Sequence, residues 1–162
     1  MRGEHAAEYV HAYLATWLGI EYEALWDVFV HDCETMRVAP GLLTRLNALR
    51  AQATVVLATG NMDSFSRFTV PALRLHDYFD GISVSWDERL HKSDNNGELF
   101  ERLAARYRVP MCNVTLVDDN RLNCELVRAK GGTAYQVNPS LPAADVLTQL
   151  EAELTPSALA GT

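Results

Sequence analysis

The chain has 162 residues, of which 48% are hydrophobic and 22% are charged, as is ordinary for one soluble globular domain. Its net charge of −7 argues against a nucleic-acid-binding protein, which needs a basic face to neutralise phosphates. No apolar stretch approaches the length that spans a membrane, and the N-terminus lacks a signal-peptide pattern. The three cysteines are odd in number and unclustered, which fits neither a disulfide framework nor a zinc site. We therefore expect a cytoplasmic protein.

The N-terminal part of the chain is predicted to be a helical hairpin. Apolar residues recur at three- and four-residue spacing in two segments, and Gly19 is placed to end the first helix. The first segment carries Tyr9, Val10, Tyr13, Leu14, Trp17 and Leu18. We interpret the aromatic side chains of both segments as core packing. A third helix follows, with leucines at positions 42, 43, 46 and 49.

From residue 54 onwards, strand patterns alternate with helical patterns. The predicted strands cover residues 54–58, 81–85, 113–117 and 133–137, and Pro71 is expected to kink or divide the helix between the first two. Such alternation predicts an α/β fold with a three-layer parallel sheet. We divide the chain into a helical segment over 1–38, an α/β core over 39–154 and a flexible tail over 155–162.

Two adjacent carboxylates, Asp118 and Asp119, end the third predicted strand, and a helical pattern begins directly behind them. Ligands of open α/β sheets bind at the carboxyl ends of the strands. Adjacent acids repel each other unless they share a proton or a cation, and Mg²⁺ prefers oxygen ligands. The pair therefore indicates a metal or phosphate site. The simpler alternative is that one of the two acids caps the following helix.

Two further polar features follow strands. Thr59-Gly60-Asn61 ends the first strand, where a hydroxyl and exposed N–H groups at a helix N-terminus suit an anion such as phosphate. Gly60 lets the backbone approach a ligand closely, although the same tripeptide is also an ordinary turn. Lys92 lies in the polar segment after the second strand, where a solvated surface charge is the alternative interpretation.

A Thr, a Lys and an acidic pair follow successive strands in this order. In this respect the chain resembles the haloacid dehalogenase-like (HAD) hydrolase superfamily. The family's second motif is matched by Val55-Val56-Leu57-Ala58-Thr59, the third by Lys92, and the fourth by Leu116-Val117-Asp118-Asp119-Asn120. The resemblance covers residues 40–139, and the hairpin before it is similar to the family's small helical cap. A receiver domain also uses an acidic pair, a Thr and a Lys, but there the acidic pair comes first.

The resemblance implies an activity and a set of site residues. It implies a Rossmannoid core and a Mg²⁺-dependent phosphatase acting on small phosphorylated metabolites. Thr59 would hydrogen-bond the transferring phosphoryl group, with Gly60 and Asn61 beside it, and Lys92 would neutralise its charge. Asp118, together with Asp119, would hold Mg²⁺. Substrate identity is not implied, because the specificity of this family lies in variable cap residues.

The family's first motif, a strand ending in Asp-x-Asp, has no match in this sequence. That motif carries the nucleophilic Asp, and formation of an aspartyl-phosphate requires such a carboxylate. We therefore expect the chain to be inactive, whether as a fragment, as a gene product started too late or as a non-catalytic binding module.

The missing strand would also leave a vacant slot between the first and third predicted strands. The chain would either close this gap by pairing the two strands directly or recruit a strand from another chain, by self-association or from a peptide.

Overall fold

The computed structural model describes residues 2–155, and the predicted flexible tail lies outside them except for Thr155. The α-helices of this part are α1 Ala7–Leu18, α2 Tyr22–Glu34, α3 Leu42–Arg50, α4 Val70–Ala72, α5 Ser85–Glu88, α6 Glu98–Arg106, α7 Arg121–Ala129 and α8 Ala143–Leu154. The strands are β1 Val56–Thr59, β2 Gly81–Val84, β3 Thr115–Asp118 and β4 Thr133–Gln136. None of these helices is long and apolar enough to cross a membrane.

The four strands form two parallel pairs. β1 pairs with β2 in the register Val56 to Gly81, and β3 pairs with β4 in the register Thr115 to Thr133. The mixed α/β class and the parallel strand direction are thereby confirmed. Within residues 2–155, β1 pairs with β2 alone and β3 with β4 alone. The direct ladder expected for a closed gap is therefore not among the observed pairings.

The chain divides into two compact units. The first unit contains α1, α2, β1, α4, β2 and α5, and the second contains α3, α6, β3, α7, β4 and α8. Each unit combines helices with one parallel strand pair. The assignment of residues 1–38 as a cap and 39–154 as a core concerns their roles, and it stays a prediction.

In the first unit, α1 and α2 form the predicted helical hairpin. Gly19 ends α1 in the left-handed conformation at φ 66°, and the N–H of Ile20 donates to the carbonyl of Ala15 over 3.0 Å. The ring of His11 lies 3.9 Å from that of Phe29 and 5.4 Å from that of Trp26, centroid to centroid. The histidine ring is thus central to the packing of the two helices.

The buried face of α1 is not the face that carries most of its aromatic residues. The fully buried residues of this helix are Ala7, His11 and Ala15, whereas Tyr9, Tyr13 and Trp17 are exposed. The interpretation of these three aromatic side chains as core packing is therefore wrong. The row that carries His11 is buried and contacts α2 through the histidine ring, and the row of large rings faces outwards.

In the second unit, two apolar clusters cover the β3–β4 pair. One contains Phe100, Cys124, Val127 and Ala134, with Met111, Leu116 and Leu126 packed against it. The other contains Leu46, Leu49 and Leu147, with Leu42, Leu43, Val55, Phe79, Val117 and Leu150 around it. Residues of β3 therefore contact apolar side chains in both clusters, as its uniformly apolar pattern predicts.

Gly132 sets the close packing between α7 and β4. A Cβ atom at this position would lie 2.7 Å from Cγ1 of Val127 and 3.0 Å from the carbonyl oxygen of Val114. A side chain here would therefore push β4 away from the fully buried Val127. Arg128 ties the same two elements together, since its guanidinium donates to the carbonyl oxygen of Ala134 over 2.6 Å.

The connection after β1 is divided, as Pro71 predicts. A π-helical turn over Phe65–Thr69 leads into the short α4, with Pro71 in its first turn, and a 3₁₀ turn over Leu75–Asp77 follows. The polar segment after β2 is more regular than expected. It contains α5 directly after the strand and a 3₁₀ turn over Asp94–Asn96.

Candidate functional site

The loop that leaves β1 holds a threonine hydroxyl in a defined orientation. Thr59 is the last residue of the strand, and its Oγ1 accepts a hydrogen bond of 2.6 Å from Nδ2 of Asn61. The hydroxyl of Ser85, at the start of α5, donates to the carbonyl of Asn61 over 3.1 Å. Accepting from Asn61 uses a lone pair of the Thr59 hydroxyl, so its hydrogen is directed elsewhere as a donor. An anion next to the exposed Gly60 could receive it.

Asp63 anchors this loop to α1, and the sequence analysis did not single it out. Its carboxylate is buried, with Oδ1 accepting from the N–H of Ala7 at 2.9 Å and Oδ2 accepting from Arg67 at 2.8 Å. Arg67 also pairs with Glu8 in the first turn of α1. This bond from Arg67 lowers the pKa of Glu8. The signal in the sequence was an acid four residues before an arginine, a common helix-surface spacing that does not reveal burial.

Lys92 belongs to the same unit as Thr59, Gly60 and Asn61. It lies four residues after α5 and is half-buried, in the segment that leads away from β2. β1 and β2 run parallel, so the segments that follow them leave the sheet from the same edge. The predicted phosphate-binding residues of this unit are therefore all in segments that follow the carboxyl ends of one strand pair.

In the second unit, Asp118 is the last residue of β3 and is 7% exposed. Its Oδ1 accepts from the backbone N–H of Asn120 at 2.8 Å and from Nδ2 of Asn123 at 3.2 Å. The Sγ of Cys124 lies 3.6 Å from the backbone carbonyl of Asp118, to which it donates. These bonds fix the carboxylate at the junction of β3 and α7.

The helix cap is Asn120, and neither acid of the pair takes that role. The side chain of Asn120 accepts from the N–H of Asn123 over 3.2 Å, as an N-cap does. The simpler interpretation of the acidic pair, as a cap, is therefore wrong. Asp118 is buried but does not cap the helix, which favours another role for its carboxylate.

The two acids of the pair are in different surroundings. Asp119 is exposed, whereas Asp118 is buried, because adjacent residues at a strand end point to opposite sides. The oxygen donors of Asp118 suit Mg²⁺, which takes carboxylates and keeps several waters. Within residues 2–155, however, no three His, Cys, Asp or Glu side chains come together as a metal site. Among the described residues, Asp118 is thus a single buried carboxylate, and its role as a metal ligand stays a prediction.

The structure thus groups the predicted residues in two sets. Thr59, Gly60 and Asn61 are together in the first unit with Lys92, and Asp118 and Asp119 are in the second. The meeting of the two sets in one site stays a prediction. Sequence reasoning missed Asn123, which orients Asp118. Its signal was an amide on the buried side of α7, beside Cys124 and Val127, where an apolar residue is the usual choice.

Comparison with known proteins gives fold-level similarity. No protein-family model and no curated protein matches the sequence. Among solved structures, the chain is similar to a HAD family enzyme from Bacteroides thetaiotaomicron in complex with magnesium and inorganic phosphate. The sequences are 17% identical, the match covers 85% of this chain and 71% of that enzyme, and the TM-score is 0.70.

A predicted HAD-like family hydrolase from Porphyromonas gingivalis matches in the same way. It is 17% identical over 92% of this chain and 75% of its own length, with a TM-score of 0.69. The chain therefore has a HAD-like fold, as the order of its motifs indicates. At this level of identity the likeness extends to the fold, and activity is a separate question.

Proposed function

We propose that this chain is a HAD-like hydrolase module that binds a small phosphorylated metabolite together with Mg²⁺. The hydroxyl of Thr59 donates to the phosphoryl oxygens, the N–H groups at Gly60 and Asn61 surround them, and Lys92 offsets their charge. Asp118 is the principal Mg²⁺ ligand, with Asp119 as an outer partner through water. The observation that carries this proposal is the orientation of two groups at strand ends: the Thr59 hydroxyl by Asn61 and the Asp118 carboxylate by Asn123.

Each residue has a defined task in this proposal. Mg²⁺ supplies positive charge to the phosphoryl group when it is bound. Thr59 fixes the direction of one phosphoryl oxygen. Lys92, a half-buried residue, offsets the negative charge of the phosphoryl group, which the acidic chain would otherwise repel. The hydrogen bonds from Asn120 and Asn123 hold the Asp118 carboxylate in one orientation, which suits a metal ligand. The same bonds make it a weaker nucleophile.

We propose further that these 162 residues do not hydrolyse a phosphomonoester by themselves. The sequence contains no Asp-x-Asp, and an aspartyl-phosphate mechanism requires a carboxylate nucleophile placed in line with the bond that breaks. Thr59 and Lys92 then assist catalysis only when such a carboxylate is supplied. Residues 1–38 act as the cap over the site.

A second candidate function is a non-catalytic binding or interaction module. The observation that favours it is that both sheets of residues 2–155 are two-stranded, so that each strand, β1 and β3 included, has a single neighbour there. Such strands take up an additional strand through their backbone groups, from a second copy or from a peptide. The free cysteines at positions 33, 112 and 124 fit a reducing cytoplasm in both cases.

Calorimetry with Mg²⁺ and inorganic phosphate tests the first proposal. We expect weak Mg²⁺ binding to the wild-type chain, loss of that binding in Asp118→Asn and a small effect of Asp119→Asn, the matched control. Phosphate binding should decrease in Thr59→Val and in Lys92→Met. Mg²⁺ binding that is unchanged in Asp118→Asn would overturn the assignment of the metal ligand and favour the interaction module.

A further inference from the structure

The exposed face of α1 carries a row of aromatic rings. His5, Tyr9, Tyr13 and Trp17 follow one another at four-residue intervals, and all are exposed. Tyr9, Tyr13 and Trp17 are 60%, 67% and 73% exposed, and the ring of His5 stacks on that of Tyr9 with 4.3 Å between centroids. Four-residue spacing places side chains in one ridge along a helix. We call these four residues the aromatic ridge.

The stretch of chain that carries Tyr9, Tyr13 and Trp17 is uncharged. Residues 9–20 contain no Asp, Glu, Lys or Arg, although the chain as a whole carries a net charge of −7. The other side chains exposed there are Ala12, Thr16, Leu18 and Ile20. An exposed helix face usually carries charged residues, and a contiguous apolar patch on a soluble protein marks an interaction site. Buried Tyr and Trp rings are the side chains that contribute most to protein interfaces.

We propose that the aromatic ridge is a homodimer interface, in which α1 of one copy packs across α1 of a second copy. Charge argues for this occupant. An acidic molecule repels its own copy over most of its surface, and residues 9–20 are a stretch where that repulsion is absent. Glu8, between His5 and Tyr9 in the chain, pairs with Arg67, which also pairs with Asp63. A basic partner would instead be attracted to the acidic parts of the surface and not to this neutral one.

Geometry and area are consistent with a two-fold contact. When ridges of four-residue spacing pack into each other, helices cross at about −50°. We place Tyr13, the middle one of the three ring residues within α1, at the crossing point. Tyr13 of one copy then meets Tyr13 of the other, and Tyr9 lies near Trp17. Aromatic side chains bury about 150–250 Å² each, so the exposed parts of Tyr9, Tyr13 and Trp17 supply on the order of 400 Å². A standard interface buries about 800 Å² per partner, so we infer a weak dimer.

The first test is sedimentation velocity of the wild-type chain over a range of concentrations and salt. We expect a shift from monomer to dimer as concentration rises. The shift should strengthen with salt, because screening removes the repulsion between acidic copies while the apolar contact persists. A chain that stays monomeric up to millimolar concentration would overturn the proposal.

The second test uses charge at the crossing point. Tyr13→Glu should raise the dissociation constant at least tenfold, and so should Tyr13→Lys, because each places two like charges opposite each other. A one-to-one mixture of the two variants should recover the dimer, since only a two-fold contact brings Glu of one copy to Lys of the other. Leu122→Glu, at an exposed leucine of α7, is the matched control and should leave association unchanged.

Both Tyr13 variants change an exposed side chain, so circular dichroism should show the wild-type helix content. A dimer that persists in Tyr13→Glu would overturn the proposal. If an added peptide strand competes with that persisting dimer, the dimer forms through the edges of β1 or β3 instead of through the aromatic ridge.

Discussion

Asp80 and Val55 exchange two hydrogen bonds directly ahead of the first strand pair. The N–H of Asp80 donates to the carbonyl of Val55, and Oδ2 of Asp80 accepts from the N–H of Val55. The donor–acceptor distance is 2.8 Å in both bonds. The next pair along the chain, Val56 with Gly81, begins the parallel ladder of β1 and β2. Asp80 therefore fixes the register that brings Thr59 opposite Val84 at the far end of the ladder.

Asp80→Asn is expected to destabilise the protein at neutral pH by about 1 kcal/mol, the usual loss for a partly exposed hydrogen-bonded charge. Arg50 strengthens the acceptor role of Asp80, since its Nε lies 3.0 Å from Oδ1. Chemical denaturation measures the loss. Asp77→Asn, at an exposed acid of the same segment, is the control and should change stability little.

The same carboxyl group predicts a pH dependence. The hydrogen bond from the N–H of Val55 is the main cause of the lowered pKa of Asp80. A lowered pKa in the folded state contributes stability above the unfolded pKa of about 3.9, and the contribution is lost as pH falls through the folded pKa. The stability difference between wild type and Asp80→Asn should therefore shrink as pH falls from 5 towards 2. A difference that stays constant over this range would contradict the assignment.

The loop after β1 should depend on Asp63 much more than on Glu8. Both accept from Arg67, but Asp63 is buried and also receives the N–H of Ala7, whereas the Glu8 side chain is 40% exposed. Asp63→Ala leaves buried donors unpaired and should cost about 2–3 kcal/mol, whereas Glu8→Gln removes a surface ion pair and should cost less than about 1 kcal/mol. Thermal denaturation of the two variants compares them, and equal losses would show that Asp63 is not the anchor.

Asn123→Ala should affect both stability and metal binding. Removing the amide leaves Oδ1 of Asp118 with one of its two observed donors in a buried position, and we expect a loss of about 1–3 kcal/mol. Mg²⁺ affinity should fall as well, because the ligand loses its fixed orientation. Asn120→Ala is the comparison: it removes the N-cap of α7 and should cost about 1 kcal/mol with a smaller effect on Mg²⁺. Calorimetry on both variants distinguishes these effects.

A peptide that carries an apolar run ending in Asp-x-Asp should raise the melting temperature of the chain. The peptide would supply the strand that the family pattern has and this sequence lacks, and a ligand that prefers the folded protein raises its melting temperature. Hydrolysis of a generic phosphomonoester, absent from the chain alone, is expected to appear with the peptide and Mg²⁺. The same peptide with Ala in place of both acids is the control. A melting temperature unchanged by either peptide would contradict the vacant slot.

Sequence patterns predicted the strands well because short runs rich in Val, Ile, Leu and Thr between turn residues are typical of strands. All four strands begin and end within two residues of their predicted positions. The same reasoning did not predict which face of α1 is buried. Tyr9, Tyr13 and Trp17 recur with the same period as Val10 and Leu14, so periodicity alone does not show which row is buried. The buried row is that of Ala7, His11 and Ala15, and the contacts of His11 with Trp26 and Phe29 depend on tertiary packing.

The candidate site was predicted in part for a similar reason. Position after a strand identifies Thr59 and Asp118, since strand ends follow from the apolar runs. The roles of Asn61, Asp63 and Asn123 depend on hydrogen bonds with particular partners, and those partners are fixed by tertiary packing. The capping of α7 by Asn120 instead of an acid is another such detail.

The proposal that depends most on one side chain is that Asp118 is a metal ligand. Mn²⁺, which shares the oxygen preference of Mg²⁺ and broadens nearby nuclear resonances, tests it most directly. Substoichiometric Mn²⁺ should broaden the backbone amide signals of Asn120 and Asn123, whose groups donate to Asp118, in the wild-type chain and leave them sharp in Asp118→Asn. Broadening confined to residues around other surface acids, or identical in Asp118→Asn, would contradict it.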